Sequence, residues 1–410
     1  MTLPPVSVVV VSRGRPDALM RCLTGLAQVQ FAPFEIVVVA DAAGRDAVAE
    51  LPFVDDLKVV SFDIPNISEA RNLGISHAAG DVVAFIDDDA VPEPLWLAHL
   101  ISPFARGDVA ATGGFVRGRN GISFQWRARS VDETGAMQPL DVDPELATVL
   151  TPKGQRATKT EGTNMAVRRE VLVALEGFDP GFAFYLDETD LNLRLARAGH
   201  ATAIVPMAEV HHGFAPSVRR RADRVPRDLF DIGASWAVFQ RKYVPEADRA
   251  LHWRDIVAAQ RKRCLGHMVA GRLLPGDVAR LLKRLADGYA DGLERQRGGA
   301  QVSRSAAAPF KAAFGRSRQS SVLSGRIWQG RRLRQEAVQR VERGEIVTLI
   351  LLSPSALFHH IRFHRDGYWE QRGGLFGRSE RTDPLFRLWR FSRRVARERR
   401  RIAGRRFEDG

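Results

Sequence analysis

The sequence has few cysteines: Cys22 and Cys264 are the only two among 410 residues, and they lie far apart. Two isolated thiols exclude a disulfide framework and a four-thiolate zinc site. They are typical of a protein that works in the reducing cytoplasm. The N-terminus lacks the basic start and the long apolar segment of a secretory signal, so we expect no such signal.

Long apolar runs are also missing. The strongest candidate, Ile346–Phe358, is interrupted by Ser-Pro-Ser, whereas a membrane-spanning helix needs about 20 consecutive apolar residues. We therefore predict that this segment is a buried strand or helix rather than one that enters a membrane.

The charge of the chain is distributed unevenly. Residues 1–216 contain 18 Lys and Arg against 28 Asp and Glu, whereas residues 217–410 contain 43 against 20. The strongly basic second half predicts an anionic partner, either a membrane surface or nucleic acid. Pro384–Ile402 is rich in arginine and has apolar residues at helical spacing, which predicts a basic amphipathic helix on an anionic membrane surface. Nucleic acid is the less favoured partner, because the region contains no recognisable nucleic-acid module.

Strand and helix patterns alternate along the first part of the chain. Apolar runs typical of strands buried on both faces occur at Val6–Ser12, Glu35–Ala40, Leu57–Phe62, Asp81–Ile86 and Val109–Phe115. Amphipathic helix patterns separate several of these runs. The alternation predicts an α/β fold with a mostly parallel central sheet covered by helices.

The composition divides the chain into four parts. Residues 1–216 form the predicted α/β domain, and residues 217–296 form a helical extension. Residues 297–325 are rich in Gly, Ser, Ala and Arg, which predicts a flexible connector. Residues 326–410 form a basic region that we expect to associate with a membrane. Beyond the α/β domain we therefore expect a largely helical, basic C-terminal part.

Polar side chains follow three of the predicted strands directly. They are Ser12-Arg13, Asp41 and the triplet Asp87-Asp88-Asp89. Ligands of parallel α/β sheets bind at the carboxyl ends of the strands. A turn at the triplet can aim the first and third carboxylates at one Mg²⁺ or Mn²⁺ ion, which would neutralise charge on a departing diphosphate. A solvated acidic turn is the alternative interpretation.

Two further residues have open assignments. Asp41 can accept hydrogen bonds from a base or ribose, or it can cap the helix that follows. Arg71 can contact a phosphate, pair with an acidic residue, or lie on the surface.

A second acidic cluster, Asp187, Glu188 and Asp190, opens a helix after an aromatic stretch. The helix dipole favours carboxylates at this end, which is a structural explanation. A carboxylate beside an apolar wall can also act as a general base, which an acceptor hydroxyl needs when it attacks. The pair His211-His212 follows the last predicted strand of the domain and can supply a metal ligand or be structural.

Together these motifs resemble those of the family 2 glycosyltransferases. The resembling segments occur in the family's order over roughly residues 5–215 and are Val6–Arg13, Asp41, Ala70–Gly74, Phe85–Ala90, Gly162–Ala166, Gly177–Asp179, Asp187–Leu191 with Arg194-Leu195, and His211. The resemblance implies a GT-A fold, a nucleoside diphosphate sugar donor, a divalent ion and an inverting single displacement.

The resemblance also implies roles for individual residues. It assigns donor binding to Ser12, Arg13, Asp41, Arg71, Asp87 and Asp88. Asp89 would bind the metal directly, with Asp87 and His211 as further ligands and His212 as the neighbouring option. The family usually has Glu-Asp where this chain has Asp187-Glu188. Because the second position is the base in that pattern, we expect Glu188 to be the base, with Asp187 as its competitor.

The expected reaction is therefore sugar transfer onto a cell-surface polysaccharide or a glycolipid. A sugar nucleotidyltransferase is an alternative, but it would need a glycine-rich phosphate loop, of which Ser12–Arg15 is a poor version. A non-catalytic binding protein with a degenerate transferase domain is a second alternative, and the intact acidic motifs argue against it.

Overall fold

The computed structural model describes residues 3–213, 215–300, 302–314 and 318–407. Parts of the predicted connector (301 and 315–317) and of the predicted C-terminal region (408–410) lie outside the described residues. The N-terminal part contains β1 (Val6–Ser12), α1 (Pro16–Leu26), β2 (Phe34–Ala40), α2 (Ala42–Ala49), β3 (Leu57–Ser61), α3 (Ile67–His77), β4 (Val82–Asp87), β5 (Ala90–Pro92), α4 (Trp96–Ile101) and β6 (Val109–Arg117).

The domain continues with short strands and then longer elements. These are β7 (Phe124–Trp126), β8 (Arg129–Val131), β9 (Met137–Pro139), β10 (Thr148–Leu150), β11 (Ala157–Lys159), β12 (Met165–Arg168), α5 (Arg169–Ala174), α6 (Asp187–Arg197) and β13 (Ala201–His212). The five predicted strands are present as β1, β2, β3, β4 and β6.

The main sheet has ten strands in the order β10-β13-β6-β12-β4-β1-β2-β3, with β5 beside β13 and β7 beside β6. β4, β1, β2 and β3 are parallel to one another, whereas β12 is antiparallel to both of its neighbours. All seven residues of β1 are buried, as expected for a strand covered by helices on both faces. The prediction of a mostly parallel, helix-covered sheet is confirmed.

Apolar side chains pack on both faces of this sheet. One cluster joins the sheet to α1 and α4, and the other joins it to α3, α5 and α6. Gly74 of α3 lies so close to the sheet that an added Cβ would be 2.4 Å from Cγ1 of Val9. The close approach holds α3, and therefore Arg71, against the carboxyl half of β1.

The helical extension contains α7 (Phe230–Tyr243), α8 (Glu246–Val269) and α9 (Pro275–Glu294). α7 and α9 touch at small residues: an added Cβ at Gly288 would lie 1.9 Å from the carbonyl oxygen of Phe230. None of the helices in the described residues combines the length and apolar character that crossing a bilayer requires.

The segment predicted as a flexible connector packs along the first domain. Ala300 N donates to Glu176 O at 2.8 Å, Lys311 N donates to Glu35 Oε2 at 2.8 Å, and Val302 is buried. Small residues here leave the backbone free to bond to the domain surface. The next strand begins at Ser320, inside the predicted connector.

Three of the short strands form a small sheet of their own in the order β11-β8-β9. A four-stranded sheet, here called the second sheet, which the sequence analysis did not predict, follows in the C-terminal region. Its elements are β14 (Ser320–Arg326), α10 (Gly330–Glu342), β15 (Ile346–Ser353), β16 (His360–Phe363), β17 (Trp369–Gly374) and α11 (Phe391–Ile402). The strand order is β14-β15-β17-β16, with only the β16–β17 pair antiparallel. α10 packs on one face and α11 on the other. The first part of the predicted run Ile346–Phe358 is therefore a buried strand, one of its two predicted forms, whereas the part after Ser353 is a loop in which Leu357 and Phe358 are exposed.

The basic helix is shorter than predicted. α11 begins at Phe391 rather than Pro384, because Arg387 N donates to Phe376 O at 3.0 Å and the chain before the helix is held as a loop. Its buried residues are Arg394, Glu398 and Ile402, and its apolar residues Phe391 and Val395 pack against the second sheet. The helix therefore does not present the apolar face that the prediction required.

Candidate active site

A cleft opens at the carboxyl edge of the main sheet, where the parallel strands end. Its walls come from Val11–Arg15 after β1, Phe62–Ile67 before α3, Ala183-Phe184 before α6, and Ser217–Arg220 after β13. Asp87, at the end of β4, lies in the same cleft. The position is the one that parallel α/β sheets use for ligands.

Asp88, in the middle of the acidic triplet, is fully buried and points away from the cleft. It accepts a hydrogen bond from Ser12 Oγ at 2.7 Å and pairs with Arg15 at 2.6 Å. Burial raises the pKa of Asp88 to about 7, although Arg15 opposes the shift. Asp88 therefore joins the ends of β1 and β4, and it holds Arg15 at the edge of the cleft.

Asp87, Asp89 and His212 form a compact group in which one ligand atom of each lies within 4.8 Å of the others. His212 Nε2 is 3.0 Å from Asp89 Oδ1, and His212 Nδ1 is 3.0 Å from Gln125 Oε1. Burial would raise the pKa of Asp89, but His212 and Arg15 hold it well below its usual range. The group combines two carboxylates and an imidazole at the end of two strands.

This arrangement fits a divalent ion. When Nδ1–H of His212 donates to Gln125, the lone pair of Nε2 faces the carboxylate of Asp89, which is a common orientation of a metal-binding histidine. The 3.0 Å separation of these two atoms is that of an ion pair, and ligand atoms about 2.1 Å from one ion, at right angles, also lie about 3 Å apart, so an ion could replace the shared proton without a large movement.

The geometry brings His212, rather than the preferred His211, to the acidic triplet. Neighbouring side chains of a strand point to opposite faces, and His211 Nε2 contacts Glu93 at 2.8 Å instead of the acidic triplet. β5 pairs with the end of β13 so that His212 lies opposite Ala90, the residue after Asp89. Gly213 N also donates to Asp89 O at 2.7 Å, which fixes the triplet against β13.

The expected nucleotide-contacting residues lie around the cleft with local partners. Arg13 pairs with Asp63 at 2.9 Å and is half-exposed. Asp41 caps α2 by accepting from Gly44 N at 2.9 Å, and its other oxygen accepts from Gly14 N at 2.7 Å. The capping role of Asp41 is thus present, and it also fixes the turn that follows β1.

Arg71 is buried and lies between the two acidic clusters. Its Nη2 is 3.3 Å from Asp87 Oδ1, and its Nη1 donates to Asp187 Oδ2. Of the three interpretations of Arg71, the structure therefore shows pairing with acidic residues. Through this side chain the helix that carries Asp187 and Glu188 is held beside the Asp87 end of the metal-binding group.

The second acidic cluster divides into three environments. Asp187 is buried against Arg71, whereas the side chain of Glu188 is 19% exposed and accepts from Lys159 Nζ at 2.9 Å. Asp190 is turned away and pairs with Arg194 and Lys242. Burial would raise the pKa of Glu188, but Lys159 outweighs it and lowers the pKa below its ordinary value.

The turn before α6 has an unusual backbone. Tyr185 and Leu186 have φ angles of 76° and 67°, in the left-handed region that non-glycine residues rarely adopt. Such residues concentrate at functional sites. Here the turn leads directly into Asp187 and Glu188, the first two residues of α6.

Several residues of the site were missed by the sequence analysis. They are Arg15, Gln125, Lys159 and Arg220, of which Arg15 and Arg220 approach Asp89 Oδ2 to 3.6 and 3.7 Å. Arg15 follows directly on the singled-out Ser12-Arg13 and had a positional signal. Gln125 and Lys159 come from the short strands β7 and β11 and Arg220 from a loop, and the sequence analysis found no pattern that marked them as site residues.

Comparison with known proteins gives a family. A family model described as "Glycosyltransferase like family 2" matches residues 4–229, more than half of the chain. The O-antigen biosynthesis protein RfbC of Myxococcus xanthus is 30% identical over 262 residues, which is 60% of this chain and 20% of that protein. The glucosyl-dolichyl phosphate glucuronosyltransferase of Haloferax volcanii is 28% identical over 42% of this chain and 56% of that protein.

Two solved structures are also similar. One is GalNAc-T7 with UDP, GalNAc and Mn²⁺, with a TM-score of 0.44 and 18% identity, over 73% of this chain and 55% of that chain. The other is the mannosyltransferase PcManGT of Pyrobaculum calidifontis with GDP-Man and Mn²⁺, with a TM-score of 0.42 and 17% identity, over 72% and 88%.

The curated relatives named above are longer than the matched part, so the chain spans only a fifth to just over half of their length. The family model, in contrast, covers the whole α/β domain, including both acidic clusters and His212. The chain belongs to the glycosyltransferase family 2.

Proposed function

We propose that the chain is a metal-dependent, inverting glycosyltransferase that moves a sugar from a nucleoside diphosphate to an acceptor hydroxyl. The observation that carries the proposal is the bridge made by Arg71. This buried guanidinium contacts both Asp87 and Asp187, so the group proposed to hold the metal lies next to the start of the helix that carries the candidate base Glu188.

We infer that the nucleotide lies in the cleft beside Ser12, Arg13 and Asp41. Arg13 can exchange its exposed pairing with Asp63 for a contact to the ligand at little cost, because exposed ion pairs contribute about 0–1 kcal/mol. Arg15 and Arg220 lie beside the acidic triplet, where cationic side chains suit a diphosphate.

We infer that Asp87, Asp89 and His212 hold a divalent ion, Mn²⁺ or Mg²⁺. When bound, such an ion neutralises the charge that develops on a leaving diphosphate. Asp88 stabilises this group indirectly, because it accepts a hydrogen bond from Ser12 and forms an ion pair with Arg15. The mixture of carboxylate oxygens and one imidazole suits Mn²⁺ well, since imidazole is a common ligand of transition metals.

We infer that Glu188 is the general base that takes the proton of the acceptor hydroxyl. Asp187 is its competitor, but its carboxylate is engaged by Arg71 and buried. Glu188 is partly open to solvent and is ionised, because Lys159 lowers its pKa. An ionised carboxylate at the mouth of the cleft can accept a proton from an incoming hydroxyl.

The acceptor is a glycan or a glycolipid, and the product belongs to a cell-surface polysaccharide or glycolipid. The names of the relatives support this, since one acts in O-antigen biosynthesis and the other on glucosyl-dolichyl phosphate. We place the enzyme in the cytoplasm at the inner face of the membrane, with its basic C-terminal region against the anionic lipid surface.

The donor and the metal can be tested together. UDP-, GDP- and dTDP-sugars are screened with Mn²⁺ or Mg²⁺ for thermal stabilisation of the protein and for release of the nucleoside diphosphate. We expect one donor class to stabilise the protein only with the metal, and Asp89→Ala to abolish that effect. Asp108→Ala, which removes an exposed carboxylate, should change nothing.

Equal metal-dependent stabilisation of the Asp89→Ala protein would overturn the assignment of the metal site. The same assay separates the nucleotidyltransferase alternative, which would consume a nucleoside triphosphate and release pyrophosphate. Formation of pyrophosphate in place of a nucleoside diphosphate would reject sugar transfer.

A further inference from the structure

The second sheet has a carboxyl edge of its own, and this edge carries exposed apolar side chains. β14, β15 and β17 are parallel, so the loops after Arg326, Ser353 and Gly374 lie at one end of the sheet. Exposed large apolar residues of these loops and of the chain that leads to α11, here called the apolar edge, are Trp328, Leu357, Phe358, Leu385, Phe386 and Leu388.

Contacts between the loops fix the backbone of the apolar edge. Phe376 N donates to Ser355 O at 3.1 Å, and the ring centroids of Phe376 and Phe386 are 5.6 Å apart. Leu357 and Phe358 line one cavity together with Arg372. The loops after β15 and β17 and the chain before α11 are thus tied to one another, and each carries exposed large apolar side chains.

Arginines are interleaved with these apolar side chains. The guanidinium of Arg378 lies 5.1 Å from the ring centre of Phe358, and that of Arg387 lies 4.6 Å from the ring centre of Trp389. Residues 326–407 contain 21 Arg and no Lys, against 8 Asp and Glu. The edge therefore combines aromatic and aliphatic side chains with a large excess of positive charge.

We propose that the apolar edge inserts into the interfacial layer of an anionic lipid bilayer and is the membrane-docking surface of this protein. Tryptophan and other amphipathic side chains prefer the interface between headgroups and acyl chains, and arginines beside them pair with anionic headgroups. The proposal rests on the proposed function for placing the acceptor at a membrane, and it adds the surface that docks there.

The proposal replaces the amphipathic-helix explanation of membrane contact. The inner side of α11 packs against the second sheet. Its Glu398 accepts hydrogen bonds from Gln371 Nε2 and from Ser379 Oγ, both at 2.8 Å. Its outer side contains Arg393, Arg399 and Arg400. α11 thus supplies charge near the membrane, whereas the loops at the edge supply the apolar contact.

The test is co-sedimentation of the full chain with vesicles of phosphatidylcholine alone or of phosphatidylcholine mixed with phosphatidylglycerol. We expect binding to the mixed vesicles. The triple variant Trp328→Ser, Leu357→Ser, Leu388→Ser should bind them at least about tenfold more weakly, because a single large apolar side chain that leaves water already contributes about tenfold or more. The variant Arg372→Gln, Arg387→Gln should bind about 30-fold more weakly at low salt, from about fivefold per arginine near the surface.

Matched controls exist elsewhere in the chain. The triple variant Leu251→Ser, Val269→Ser, Leu274→Ser removes equally exposed apolar side chains from the helical extension. The variant Arg343→Gln, Arg365→Gln removes the same charge from the opposite edge of the second sheet. Both controls should bind mixed vesicles within about twofold of the unaltered protein.

Three outcomes would overturn the proposal. The first is that the unaltered protein does not bind mixed vesicles. The second is that the triple variant of the apolar edge binds them as strongly as its control. The third is that the unaltered protein self-associates in a concentration-dependent way and only the triple variant of the apolar edge loses this self-association. Metal-dependent donor stabilisation is measured on the same proteins. It should be unchanged in all variants, so a failure of vesicle binding is distinguished from a failure of the proposed sugar transfer.

Discussion

The substitution Glu188→Gln isolates the proposed base with little disturbance of the structure. The amide oxygen of glutamine can still accept from Lys159, which is 2.9 Å from the carboxylate, and the side chain is partly exposed. Removal of a general base lowers kcat by about 10² to 10⁴-fold, or about 3–5 kcal/mol in the transition state. We expect a loss of that size, with unchanged thermal stability and unchanged donor affinity.

Asp187→Asn should behave differently, because Asp187 is buried against Arg71. Breaking a buried ion pair costs up to about 3–5 kcal/mol of stability, and the cost is smaller here because Arg71 also contacts Asp87. The contact between Arg71 and Asp87 should then also change. We expect this variant to lose both stability and donor affinity, in addition to turnover.

The assay compares the two variants by kcat with a saturating donor, by donor affinity from titration calorimetry, and by urea denaturation. A Glu188→Gln protein with nearly full turnover, beside a stable Asp187→Asn protein without turnover, would refute the assignment of the base. It would also mean that the partner of Arg71 does the chemistry.

The role of Lys159 can be read from the pH dependence of the same reaction. Lys159 lowers the pKa of Glu188, and turnover requires the ionised carboxylate, so turnover is lost as the pH falls through that pKa. An opposite charge at this distance lowers a carboxyl pKa by about 1–3 units. Lys159→Met should therefore move the acidic limb of the kcat/KM profile upward by about 1–3 pH units. An unmoved limb would exclude Glu188 as the titrating base.

Three further predictions concern stability and the metal. Arg406→Ala should lower the free energy of unfolding by about 3 kcal/mol, because it leaves Glu93 buried and charged; urea denaturation checks this, with the exposed Arg365→Ala as the control. Gly288→Ala should cost about 1–3 kcal/mol through overlap with the α7 backbone, whereas Gly276→Ala, in open space on the same helix, should be neutral or stabilising in the same measurement. Chelation of divalent ions should abolish transfer, and added Mn²⁺ should restore it, as measured by release of the nucleoside diphosphate.

The first domain could be predicted because its signals are local. The buried strands β1, β2 and β4 are continuous apolar runs, and the polar residues that follow them mark the edge where ligands bind. The second sheet had weaker signals. β14 is SSVLSGR, with two large apolar residues, and β16 is four residues long, so neither forms a pattern that stands out from a loop.

The assignment of the two histidines shows what local patterns leave open. Alternation along β13 decides which face each imidazole takes, but the strand has an irregularity between Val205 and Glu209 where its pairing with β6 shifts. A shift of one residue exchanges the two faces. The choice between His211 and His212 therefore depends on strand pairing, which the order of residues did not reveal.

The two adjacent histidines connect the proposed metal site to the C-terminal region. His212 faces Asp89, while the ring of His211 lies 4.7 Å from that of Trp369 on β17 and contacts Glu93, which Arg406 also holds. The second sheet thus packs directly against β13, the strand that carries the proposed metal ligand His212. Because the position of His212 depends on that strand, the C-terminal region contributes to the geometry of the cleft as well as to the proposed membrane contact.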